Sequence, residues 1–552
     1  MASHTYGSFS LQRCLFLLTA ALARVAGAAD PCVPENFSFP KISGIEGATI
    51  TASRFEGYTG YSGWKPESSL IGAEGVSACN VTVSYTHAGE GDLVTVHVWL
   101  PLENYNSRFV GAGGGGWLSG EIGEDIMSLF AYQGYAVAAT DGGYNHNPFS
   151  TADSWLMESP GKLALPLLTN FAHRAVHDMT LIGKHVVASY YGEETNFSYW
   201  QGCSTGGRQG LDLAQRHPED YDGIWASCPA VSFPALFMSM LWPQVVMNTA
   251  QVYPSACQFE AIRMAAIEAC DELDGVKDGV ISRDDLCKFD PETVIGKEFD
   301  CDGTKINISK EVVEVAKEML RGPVDAEGKQ LFPGTTHGTA AVGFMATANT
   351  VCTGESCTAG RPFTIASDWV RLLLKKDPSF DVATVSRDEF TQLFHQSVRE
   401  YNDLIGSNNP DLRKFQEGGK KMITWHATND EAISINSMRQ YYDSVVTFDM
   451  QNSVDTASYY RFFEVPGATH CSATPGVYYP LNGFNALQEW VENGVVPTSL
   501  DTFPLGEHQK GEGAESHPLY PYPRVSASAA KKLIPDDAKD TRDTQNIIKD
   551  EL

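Results

Sequence analysis

The sequence predicts an α/β protein built on a doubly wound parallel sheet, interrupted by a large insertion. Three observations predict it. Runs rich in β-branched and aromatic residues alternate with helical periodicity between residues 94 and 217, the alternation stops after Pro229, and it returns at Lys421. At 552 residues the chain also exceeds the roughly 250 to 300 that one core sustains, so an inserted unit is expected.

Taken in order, strand-like runs occupy 94–100, 108–110 and 135–140, separated by glycine-rich turns and a helical stretch. An amphipathic segment at 171–191 leads to a short strand at 197–200 and a helix over 206–217. Met, Trp, Cys and Asp-Gly turns then predominate to about Gly406, so 233–414 reads as an inserted lid domain between the two parts of a main domain, 29–232 and 415–525. The second part brings a strand at 421–426, a helix over 434–445 and a strand at 459–465. Residues 526–552 are charged and poor in apolar pattern, and read as a tail.

The two ends and the charge balance restrict where the protein acts. Arg13, the apolar run 14–23 and the small residues Ala26-Gly27-Ala28 predict a cleaved signal peptide over 1–28. That run is short for a membrane span, and no later segment offers about 20 apolar residues. With 68 acidic against 40 basic residues, a formal charge of −28 repels nucleic acid. Sequons begin at Asn36, Asn80, Asn196 and Asn307, as expected of a glycoprotein. The last residues, Lys549-Asp550-Glu551-Leu552, spell the signal read by the endoplasmic reticulum retrieval receptor, so residence in that lumen is expected, with secretion as the alternative.

The strongest chemical signal is Gly202-Cys203-Ser204-Thr205-Gly206, a G-x-S-x-G between a predicted strand and a predicted helix, the setting of an α/β-hydrolase nucleophile. Acid and base follow such a serine in chain order. Asp430 and His470 stand shortly after predicted strands, where strand ends project side chains to one rim. His426 is the rival histidine, read as packed within its strand, and Glu431 the rival acid. If Ser204 and His470 meet, their neighbours Cys203 and Cys471 meet too, and a Cys203–Cys471 disulfide becomes a check on the triad. The Thr205 amide is one expected oxyanion donor. The other is expected from the run Gly111 to Gly116, with Gly114 the candidate, although the run alone does not decide which glycine.

The segments Tyr199-Trp200-Gln201-Gly202-Cys203-Ser204-Thr205-Gly206-Gly207-Arg208-Gln209-Gly210, 214–223 and Ala468-Thr469-His470-Cys471 resemble the fungal tannase and feruloyl esterase family, and the likeness extends from Cys32 to about Pro523. It implies an esterase acting on esters of aromatic acids such as ferulate or gallate, with Ser204, Asp430 and His470 as its triad beside the linked Cys203 and Cys471. It also implies a structural Ca²⁺ held by Asp271, Asp274 and Asp278 with the carbonyls of Val276 and Val280. Read alone, those residues suit either a hard cation or solvated Asp-Gly turns. Cys270 and Cys287 bracket that loop and are expected to close it. Cys32–Cys79, Cys257–Cys301 and Cys352–Cys357 are then expected as further pairs, with Cys228 left free.

The sequence departs from the family pattern where Tyr520 stands in place of a cysteine and where 141–144 lacks a histidine. An esterase for a small-molecule secondary metabolite is therefore the alternative enzyme, and a silent, calcium-stabilised binding protein the alternative class.

Overall fold

The computed structural model describes Met1 and residues 30–60, 73–120, 124–144, 147–301, 303–354, 356–471, 477–504 and 516–524. The expected signal segment beyond Met1 and the 526–552 tail lie outside the described residues.

A nine-stranded sheet organises the chain. Its strands are β1 (Ile45–Tyr58), β2 (Val76–His87), β3 (Val94–Pro101), β4 (Arg108–Ala112), β5 (Ala136–Thr140), β6 (Phe197–Cys203), β7 (Gly223–Ser227), β8 (Lys421–Ala427) and β9 (Tyr460–Val465). Their spatial order is β1-β2-β3-β5-β4-β6-β7-β8-β9. From β5 to β9 the pairing is parallel. The strands β1 to β3 join antiparallel, so the sheet is mixed, and the expected parallel arrangement holds for the part that carries the site.

The parallel strands are buried on both faces, which is why β5 and β7 read as unbroken apolar runs. The helices Ala175–Tyr191, Thr205–Arg216 and Ile435–Gln451 bury Met179, Leu211 and Met438 against one face. Glu124–Tyr132 and Gly483–Asn493 bury Phe130, Phe484 and Trp490 against the other. That is the doubly wound α/β-hydrolase architecture.

Between β7 and β8 the chain leaves the sheet for a mainly helical segment, including Phe233–Ala250, Ala256–Cys270, Lys310–Arg321 and Arg387–Ile405. Its apolar cluster around Phe233, Phe237 and Trp369 continues into Trp117, Trp155 and Phe171 from outside the segment. The insertion therefore shares a core with the loops above the sheet. Five disulfides join Cys32–Cys79, Cys203–Cys471, Cys257–Cys301, Cys270–Cys287 and Cys352–Cys357, while Cys228 is free and buried. Asn36, Asn196 and Asn307 are exposed, whereas Asn80 is half-buried within β2, between β1 and β3.

Candidate active site

Ser204 sits between the end of β6 and the start of the Thr205–Arg216 helix with φ 62° and ψ −118°. A positive φ is costly for serine, by about 1 to 3 kcal/mol, and persists where the surroundings impose it. Here they do. The Ser204 amide donates to the Ser227 carbonyl at 3.0 Å, and a Cβ on Gly202 would meet the Gly206 backbone at 2.7 Å. A Cβ on Gly206 would lie 2.9 Å from the Gly114 carbonyl oxygen, so both motif glycines are required by close approach. The turn sets Ser204 at a helix N-terminus, where developing negative charge is favoured.

The strands β8 and β9 pair in register, Ala427 beside Val465, and the loops that follow them carry Asp430 and His470. His470 Nδ1 and Asp430 Oδ2 are 2.7 Å apart, and Asp430 is 1% exposed. Its Oδ1 accepts the amides of Ala432 at 3.0 Å and Ile433 at 2.7 Å. Burial pushes the Asp430 carboxyl up, but His470 and His426 together outweigh it and hold the group well below the usual carboxylate range.

His426 lies fully buried at the end of β8, with Nε2 2.9 Å from the Ile433 carbonyl and 3.2 Å from Asp430 Oδ2. It is packed, as expected, and it also braces the acid. Glu431 points elsewhere: its carboxylate accepts the His470 amide at 3.1 Å, and burial followed by the Asp430 charge pushes its own pKa up.

The Cys203–Cys471 bond, with Cα atoms 6.1 Å apart, ties the residue before Ser204 to the residue after His470. Ser204, Thr205 and His470 line one cavity of about 20 Å³. The Cys228 sulfur lies within 4.8 Å of the Cys203 and Cys471 sulfurs, and also within 4.8 Å of a ligand atom of His426 and Asp430. Burial pushes the Cys228 thiol well up, which keeps it protonated.

The glycine run differs from expectation in one respect. The Gly114 amide donates to Gln209 Oε1 at 3.0 Å, so it is engaged within the fold and not turned to an oxyanion. Gly116 is the glycine that lines the cavity, and its carbonyl accepts the Thr205 hydroxyl at 2.8 Å. Tyr144, where a histidine was expected nearby, donates to the Trp117 carbonyl at 2.8 Å and so supports the same run.

In the acidic loop, Asp271 accepts the amides of Asp278 at 3.2 Å and Gly279 at 3.0 Å, Asp274 that of Val276 at 2.9 Å, and Asp278 that of Val280 at 3.1 Å. Asp274 Oδ2 is buried without a hydrogen-bond partner among the described residues. An orphaned buried carboxylate oxygen suits a hard cation such as Ca²⁺, while the carboxylates of Asp271, Asp274 and Asp278 are not gathered within 4.8 Å of one another. The Cys270–Cys287 disulfide closes the loop.

A family model described as tannase and feruloyl esterase matches residues 79–538. The chain belongs to the tannase and feruloyl esterase family. It is 40% identical over 428 residues to a probable feruloyl esterase of Arthroderma benhamiae, covering 77% of this chain and 78% of that protein. It is 30% identical over 471 residues to a tannase of Aspergillus oryzae, covering 77% and 79%. The solved tannin acyl hydrolase from Aspergillus niger superposes with a TM-score of 0.80 at 27% identity, over 92% of this chain and 96% of that one. Feruloyl esterase B from Aspergillus oryzae gives 0.70 at 26%, over 88% and 94%. As a member of this family, the protein is a carboxylic ester hydrolase.

Two roles escape the sequence reading, that of Gln209 in holding the glycine run and that of His426 in bracing Asp430. Gln209 carried a usable signal: an amide five residues after the nucleophile, on a helix whose first turns must be buried.

Proposed function

We propose that the protein cleaves esters of aromatic acids of the feruloyl or galloyl type through an acyl-enzyme on Ser204. The single observation that carries this reading is that His470, 2.7 Å from Asp430, lines the same cavity as Ser204. His470 Nε2 takes the Ser204 proton, Oγ attacks the ester carbonyl, and the proton then passes to the departing alcohol. Water repeats the sequence and frees the acid. Asp430 fixes the imidazole and stabilises its charged form, while the Thr205 amide, on the cavity-lining residue after Ser204, is the expected oxyanion donor. The aromatic substrate class is supported by the names of the relatives and by the phenylalanines that line the cavity. Labelling with a fluorophosphonate and sequencing the modified peptide tests the mechanism: Ser204 should carry the label, and a label elsewhere overturns it.

The reading extends to three supporting features. Residues 233–414 act as a lid domain over the site, sharing its core. Asp271, Asp274 and Asp278, with the carbonyls of Val276 and Val280, would hold Ca²⁺, which supplies structural cross-linking and no step of the reaction. Entry into the secretory pathway agrees with five disulfides, and lumenal retention rests on Lys549 to Leu552. Comparing secretion with and without those four residues tests retention; equal secretion removes it.

A further inference from the structure

We infer that the acyl subsite selects apolar, sparsely hydroxylated acids of the benzoyl or cinnamoyl kind and discriminates against galloyl groups. The inference rests on the serine-esterase reading and narrows its substrate class. The acyl chain of an acyl-enzyme on Ser204 has the cavity around that residue as its surroundings. Its wall is built from Phe149, Phe233, Phe237, Met240, Phe363 and Ile365, and it is closed by Met345 and the reacting residues. Phe233, Phe237, Met240 and Ile365 are themselves buried.

The side-chain hydrogen-bond donors of that wall are already engaged. The Thr205 hydroxyl donates to the Gly116 carbonyl at 2.8 Å, and His470 Nδ1 faces Asp430 at 2.7 Å. The Ser204 hydroxyl and His470 Nε2 are reserved for the reaction. Among the described residues that line the cavity, no further side chain offers a hydrogen bond to a ring hydroxyl.

The cavity of about 20 Å³ holds on the order of one water, so a ring enters by parting the wall and leaves bulk solvent behind. The place for this is the junction where Phe149 meets Phe344 edge-on at 5.3 Å, because Phe344 is 78% exposed and adjoins the cavity-lining Met345. A galloyl ring would bring three hydroxyls into contact with phenylalanine and methionine. An apolar pocket disfavours one added hydroxyl by about 100-fold.

The test uses the purified full chain with methyl benzoate and methyl gallate, which share skeleton and alcohol and differ only in the ring hydroxyls. Each kcat/KM is divided by that ester's own hydroxide-catalysed rate to remove electronic effects. The benzoate-to-gallate ratio is expected to be at least about 100, and a ratio of one or less overturns the inference while leaving the esterase reading intact. Failure to hydrolyse either ester, or methyl cinnamate and methyl ferulate, overturns both. Met345→Gln, which introduces an amide at the mouth, should narrow the ratio about tenfold. If that variant melts as the wild type does and leaves the ratio unchanged, discrimination does not arise in this cavity.

Discussion

Gln209 holds the glycine run from two sides: its Oε1 accepts the Gly114 amide at 3.0 Å and its Nε2 donates to the Ser119 carbonyl at 2.7 Å. Because Gln209 lies on the helix that follows Ser204, its side chain joins the Gly206 amide and the Thr205 hydroxyl in fixing the glycine run against that helix. Gln209→Ala should lower kcat by about 10- to 100-fold with a smaller effect on KM, since displacements near 1 Å cost that much. It should also lower the melting temperature, because two buried backbone groups lose partners worth about 1 to 3 kcal/mol each. Steady-state kinetics beside thermal melts check both effects.

Asp430 titrates below its unfolded-state value, which for an aspartate is near 3.9. A depressed carboxylate contributes stability in full above that unfolded value and loses it as pH falls through the lower folded one. Asp430 should therefore remain ionised across the pH range in which the enzyme turns over. Asp430→Asn should cost on the order of 10⁴ in kcat and flatten the fall in stability on acidification below pH 4. Melts across pH together with rate profiles test the sign.

The Cys203–Cys471 bond should matter more to rate than to folding. Replacing both cysteines by alanine is expected to reduce kcat by roughly 100-fold, while the other four disulfides keep the fold. A double variant with unaltered kcat would show that Ser204 and His470 hold their places unaided.

The acidic loop packs close to the turn before His470: Val280 crowds Gly467, three residues upstream, where an added Cβ would lie 2.8 Å from Val280 Cγ2. Removing Ca²⁺ should therefore lower the melting temperature, as loss of any ligand specific to the native state does, and weaken turnover as well. Restoring Ca²⁺ should reverse both. Elemental analysis without stoichiometric Ca²⁺, together with melts indifferent to chelator, would contradict this.

The legible parts of the site were those written in local sequence. Ser204 is marked by glycines that steric contact demands, and Cys203 and Cys471 by adjacency to nucleophile and base. The helix assigned to 206–217 forms over Thr205–Arg216, and the strands before Asp430 and His470 stand where their apolar runs place them. What lacked a local signature was missed. The strand β1 alternates Ala48, Ile50 and Ala52 with Thr49, Thr51 and Ser53, but on small, half-buried residues at a sheet edge, a weaker signal than the apolar runs of the parallel strands. The Phe233–Ala250 helix is buried nearly all round, leaving no polar stripe to reveal its period. Gly114 was misassigned because the partner of its amide, Gln209, is remote in sequence.

The central claim is that Ser204 is the nucleophile, and Ser204→Ala tests it most directly. The variant should keep its melting temperature and disulfides while its kcat on methyl ferulate, or on any other ester the wild type turns over, falls on the order of 10⁶-fold. Hydrolysis at near the wild-type rate by the folded variant would contradict the account.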